Sequence, residues 1–172
     1  GVKILQLPFG AQLQAVAYGR ADFATVFERD ASIAETKFGL KAVYSLGEKL
    51  GPAVFTSTFV TKSFLDANPG TVQAYCNAIA EAQKMLHQDP AVFTEVSALE
   101  FPQLDKAVFD AARARFFGAV ALAPKNPTIS EAEWNTLVAH ESGAGTLRAV
   151  LPYSQMVNNA FAQKAAEQFG LP

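Results

Sequence analysis

The sequence predicts an α/β fold, and three observations carry that prediction. The stretch FATVFERDAS holds an apolar run, Phe23, Ala24, Val26 and Phe27, that stops abruptly at Glu28, Arg29 and Asp30. A short apolar run bounded by polar punctuation is the pattern of a strand buried on both faces, the kind found in helix-covered parallel sheets. Up to this stretch the order reads strand, helix, strand, which favours a right-handed crossover and a parallel pair. From Ser63 onward the pattern turns almost wholly helical, so a few short strands are followed by about five helices whose apolar faces need a sheet or each other for cover.

In chain order, residues 3–7 form a β-type run ending at Pro8. Residues 10–19 read as a helix, with Leu13, Val16 and Ala17 at helical spacing and Gly19 suited to a left-handed C-terminal cap. After the strand at 23–27, Asp30 or Ser32 starts a second short helix that carries Ile33 and Ala34 and is closed by Gly39. Residues 41–46 read as another strand, with Tyr44 in the core. A turn with Gly47, Gly51 and Pro52 leads to 53–61, AVFTSTFVT, the longest β-branched and aromatic run.

Asn68 and Pro69 then make a helix cap followed by proline at the first helical position. Val72, Tyr75, Cys76, Ile79 and Leu86 hold an apolar face until Asp89 and Pro90 stop it. Shorter helices are expected over 90–99 and 103–116, the latter carrying Leu104, Val108, Ala111, Ala112 and Phe116. Residues 118–127 read as a loop. Ser130 and Glu133 form an S-x-x-E capping box that places Trp134, Leu137 and Val138 on a helix, where packing is the expected role of the tryptophan. Residues 141–145 read as a loop and 153–169 as one closing helix, with Val157, Ala160, Phe161, Ala165 and Phe169 on one side.

Composition narrows the function classes. The chain has 172 residues, half of them hydrophobic, enough for one or two domains with a sizeable core. Its formal net charge is -2 and its lysines and arginines are scattered, which argues against nucleic acid and anionic membrane surfaces as partners. A single cysteine, Cys76, gives neither a disulfide framework nor a thiol metal site and reads as small core filler. No apolar stretch approaches the length of a bilayer span, and GVKILQL lacks the order of a signal peptide. Its first residues read directly as a strand, so the chain reads as starting in mid-fold.

Four segments resemble the substrate-binding proteins of ABC importers in the nitrate, sulfonate, taurine and thiamine-pyrimidine group. AVAYGRADFATVFERDASIAE is similar to that family's helix, Gly-x-x-Asp turn and buried strand leading to a Trp-Glu-Pro type motif. GPAVFTSTFVTKSFLDANPGTVQAYCNAIAEAQKMLHQDP resembles its returning strand, F-L-x-x-N-P helix start and long helix ending in Asp-Pro. FFGAVALAPKNPTISEAEWNTL resembles the loop before its penultimate helix, and LPYSQMVNNAFAQKAAEQFG its closing Tyr-x-x-x-Val-x-Asn helix.

The resemblance implies a two-lobed periplasmic binding protein of type II, with the N-terminal part absent from this chain. Residues 1–52 would be the remainder of the second α/β lobe, 53–62 a hinge-crossing strand, and 63–172 a helical part packed on the first lobe. A missing N-terminal segment or a second chain would complete that lobe. The implied function is capture of a small solute in the periplasm, or on a lipid-anchored extracellular protein, and its delivery to an ABC permease. No cofactor and no metal are implied.

Carried over by position, Phe27, Glu28 and Arg29 fall on the Trp-Glu-Pro motif, with only the glutamate retained. A cleft carboxylate accepts hydrogen bonds from amines or amides, and a guanidinium suits carboxylate or sulfonate. Two other readings stand beside this one: the pair satisfies itself as a salt bridge, or the three charges form a solvated turn with Asp30 capping the next helix. Gln12 is a candidate for fixing a polar ligand group. Phe9 reads either as a stacking face or as a staple for the next helix. Phe55 and Thr56, near the hinge crossing, are further candidates.

Catalysis needs a nucleophile with a base, an acid and base pair, or a metal. His87 and His140 both fall in the last turns of expected helices with no partner at metal-binding spacing, and no phosphate loop, G-x-S-x-G elbow or H-E-x-x-H occurs. The expectation is a binding protein rather than an enzyme. Two alternatives share the fold implied by the resemblance: the effector domain of a LysR-type regulator, and a yeast-type thiamine pyrimidine synthase, which is marked by a cysteine cluster that this chain lacks.

Overall fold

The computed structural model describes residues 1–118 and 122–172, and its regular elements are helices. They are α1 (Gln12–Ala17), α2 (Asp30–Phe38), α3 (Leu46–Leu50), α4 (Lys62–Ala67), α5 (Pro69–Gln88), α6 (Ala91–Glu100), α7 (Lys106–Phe117), α8 (Glu131–Gly143), α9 (Tyr153–Met156) and α10 (Ala160–Phe169). No strand occurs among the described residues, which corrects the expected α/β class and the two-lobed type II fold inferred with it.

The correction has a physical reason. A strand exists only when a neighbour takes its N–H and C=O groups, and β-propensity records the fit of a side chain to a pleated, half-buried surface. The segments 3–7, 23–27, 41–45 and 53–61 have the composition for that surface but no ladder partner among the described residues. Their large side chains stand in solvent: Ile4, Phe23, Val43 and Phe55 are exposed, and Phe59 is 91% exposed. Tyr44, expected in the core, is exposed as well, and the turn expected around Gly47 is helix α3. Part of the loop expected over 118–127, residues 119–121, lies outside the described residues.

Contacts divide the chain into two units, each assembled from two stretches. The first takes Gly1–Ser45 and Pro90–Leu122 and contains α1, α2, α6 and α7. Here α7 packs against both α2 and α6, and α1 against α2. Its core is Leu13 and Ala15 from α1 with Val108, Phe109 and Ala112 from α7. Phe93 of α6 meets Phe116 at 5.0 Å between centroids and Phe117 edge-on at 6.0 Å, the offset geometries that ring quadrupoles favour. Gly19 ends α1 as the sequence predicts. With φ +71 it lets Arg20 N–H reach the Ala15 carbonyl at 2.7 Å while its own N–H bonds to Val16, a Schellman closure.

The second unit takes Leu46–Asp89 and Ala123–Pro172. Its main packing is α5 against α10, and the buried residues of these two helices are the small Ala80, Ala162, Ala165 and Ala166. Gln73 of α5 donates to the Phe161 carbonyl at 3.0 Å. Tyr75 and Ile79, read as core-facing, are exposed. Pro69 opens α5 as expected, but Asn68 does not cap it: the Asn68 amide donates to Phe64 O at 3.1 Å and closes α4 instead. The capping box on α8 forms as predicted. Ser130 Oγ accepts from Glu133 N–H at 3.2 Å, and Glu133 accepts from Ser130 N–H at 2.9 Å.

The single closing helix expected over 153–169 is broken into α9 and α10. Val157 between them is extended, with φ -118 and ψ 124. Asparagine side chains that bond to backbone compete with helical geometry, and two do so here. Asn158 accepts from Ala160 N–H at 3.0 Å. Asn159 donates to the Ile129 carbonyl at 2.7 Å and accepts from the Ile129 N–H at 3.0 Å, while Tyr153 Oη donates to the same carbonyl at 2.6 Å. The Tyr-x-x-x-Val-x-Asn pattern is therefore a clamp on Ile129.

Candidate functional site

The first unit carries a shallow pocket beside α1 and the N-terminal end of α2, lined by Phe9, Gln12, Thr25, Phe27 and Asp30 among others. Local sequence builds its rim. Residues 8–11 form a turn in which Ala11 N–H donates to Pro8 O at 3.0 Å, with Gly10 at φ +87 where a side chain would be strained. The turn lifts Phe9 out of the chain, 80% exposed, to stack on Phe27 at 5.6 Å and 29°. Gln12 folds back on the turn, its Oε1 accepting from Gly10 N–H at 2.8 Å. Its amide nitrogen, the Thr25 hydroxyl and the Asp30 carboxylate have no hydrogen-bond partner among the described residues.

Glu28 and Arg29 are turned to other partners. Glu28 Oε1 accepts from Ser32 N–H at 3.2 Å and from the Ser32 hydroxyl, so α2 starts at Asp30 as expected but is capped by Glu28 rather than by the Asp30 side chain. Its Oε2 meets Arg115 of α7 at 3.4 Å, with the glutamate side chain only 7% exposed. Arg115 also donates to Ser32 Oγ at 2.9 Å and binds Glu35 at 2.5 Å. Burial pushes the Glu35 carboxyl up, but hydrogen bonds from Arg115 and the Ala42 N–H, with the guanidinium charge, outweigh it and hold the group below its ordinary 4.5.

Arg29 precedes α2 with φ 72 and ψ -46, the one positive φ outside glycine among the described residues. Such a backbone costs about 1–3 kcal/mol and persists where its surroundings over-determine it. Here the Glu28 cap holds one side and the Arg29 guanidinium, 4.8 Å from the Phe101 ring centroid, the other. Glu28 and Arg29 thus do not pair with each other.

Of the residues singled out from sequence, the structure brings Phe9, Gln12 and Phe27 together at one pocket. Phe55 and Thr56 lie in the second unit, in the segment before α4 that forms no regular element. Sequence reasoning took Asp30 either as one of the three charges that end the 23–27 run or as a cap, and did not single out Thr25 or Arg115. Arg115 sits 87 residues from Glu28, beyond any local motif. Among the described residues no group of three His, Cys, Asp or Glu side chains is placed to hold a metal ion, and no helix is long and apolar enough to cross a membrane. Burial pushes the Cys76 thiol above its ordinary 9.0, away from the reactive thiolate.

No protein-family model matches the chain, and no solved structure matches it. A relative does: the "Putative binding protein YtlA" of Bacillus subtilis (strain 168), 28% identical over 166 residues. The similarity covers 96% of this chain and 49% of that protein, so the chain spans about half the length of the curated relative it matches.

Proposed function

We propose that this chain is the solute-binding part of an importer, capturing a small organic molecule outside the cytoplasm and delivering it to an ABC permease. The observation that carries the reading is the similarity, along 96% of the chain, to the Bacillus subtilis protein named "Putative binding protein YtlA". The pocket on the first unit supports it, because two stacked phenyl rings beside a few polar groups is the usual make-up of a small-molecule site. The residues gathered there bind and orient.

The test is a titration of the isotope-labelled 172-residue chain with small amines, alcohols and sulfonates, followed by amide chemical shifts. Saturable shifts centred on Phe9, Gln12 and Phe27 are expected for at least one class. The reading is lost if none of the classes moves those resonances.

A further inference from the structure

We propose that the pocket between Phe9, Gln12 and Asp30 receives the primary ammonium group of a small amine, whose carbon body lies against the exposed Phe9 ring. The proposal rests on the reading of this pocket as a solute site and names the chemistry that the site selects.

Three observations converge on it. The first is size. The cavity is about 20 Å³, room for about one water-sized group. An ammonium head fits that space. The second is charge. Asp30 is the one charged side chain on the lining, and its carboxylate is unpartnered among the described residues. The two nearest charges in sequence are already committed, Glu28 to Arg115 and Arg29 to the face of Phe101. The start of α2 adds roughly half a positive charge, which the full negative charge of Asp30 exceeds. The third is the surface. Phenyl faces attract a cation and disfavour an anion, and Phe9 and Phe27 are stacked at the pocket.

Hydrogen-bond capacity agrees with this. An ammonium group carries three donors and no acceptor. The lining offers acceptors in the Asp30 carboxylate, the Thr25 hydroxyl and the second lone pair of Gln12 Oε1. A sulfonate, by contrast, finds only the Gln12 amide nitrogen and the Thr25 hydroxyl as side-chain donors, next to a repelling carboxylate.

The experiment compares benzylamine, benzyl alcohol and benzenesulfonate on the full chain at neutral pH, with affinities taken from the shifts of pocket amides. Benzylamine is expected to bind at least about tenfold more tightly than its neutral isostere, a difference of about 1.4 kcal/mol. Asp30→Asn should erase that ratio by weakening benzylamine. This variant keeps the α2 cap, which Glu28 supplies. Phe9→Leu should weaken amine and alcohol together. Tighter binding of the sulfonate, or an amine preference that survives Asp30→Asn, overturns the ammonium assignment and leaves the solute-binding reading standing. Silence of the pocket amides to all three probes overturns both.

Discussion

The two units solve the same problem, tying distant stretches of chain together, with different chemistry. In the first, α2 and α7 are joined by charge: Glu28, Glu35 and Arg115 meet around the wholly buried Ser32. In the second, the start of α10 is held to Ile129 by a neutral amide, with Asn159 meeting the N–H and C=O of one residue and Tyr153 adding to the same carbonyl. The Asn159 side chain does for Ile129 what a neighbouring strand would do. Charged and neutral ties fail differently. A buried carboxylate and guanidinium are costly to strand alone, whereas an amide leaves behind only unpaired dipoles.

The largest effect should therefore come from Glu28→Ala, which leaves Arg115, 25% exposed, without its main buried partner. A loss of about 3 kcal/mol is expected in urea unfolding, with amide protection falling in α2 and α7. Glu28→Gln, which keeps an acceptor for Ser32, should lose less. A single variant as stable as the parent would show that the charged tie holds nothing.

Asn159→Ala comes next, at about 2 kcal/mol, because two bonds to a part-buried backbone are lost at once. Faster hydrogen exchange of the Ile129 amide is the specific sign; protection unchanged there would dismiss the clamp. Ser130→Ala removes the serine half of the capping box on α8 and should cost about 1 kcal/mol, read as fraying of that helix alone.

The subtlest contrast is with pH. The folded pKa of Glu35 lies below its ordinary 4.5, so its contribution is present above about pH 4.5 and is lost as the pH falls through the lower folded value. Glu35→Gln should flatten the acid limb of stability for the first unit and leave that of the second untouched. Parallel acid limbs in parent and variant, measured by hydrogen exchange in α2, would contradict that assignment.

Legibility from the sequence followed the range of the interactions. The end of α1 at Gly19, the start of α5 at Pro69 and the box at Ser130 and Glu133 were all readable, because each is made within a few residues. Phe9, Gln12 and Phe27, singled out from the sequence, line one pocket, because the turn at 8–11 and the run at 23–27 meet there. What misled was the β-type composition of 23–27 and 53–61. Such runs describe a surface to be packed on, and their state depends on a partner that no local pattern contains. The break before α10 was hidden for a related reason: a helical apolar spacing runs through Val157, but the Asn159 amide is drawn to Ile129, 30 residues away.

By itself, then, the sequence determined where most helices begin and end and which residues crowd around the first turn, because capping and turn chemistry are satisfied locally. Only the tertiary structure decided the fate of the charges at Glu28, Arg29 and Asp30. A carboxylate leaving water goes to the guanidinium that can follow it, so Glu28 turned to Arg115, Arg29 settled over Phe101, and Asp30 was left on the pocket wall.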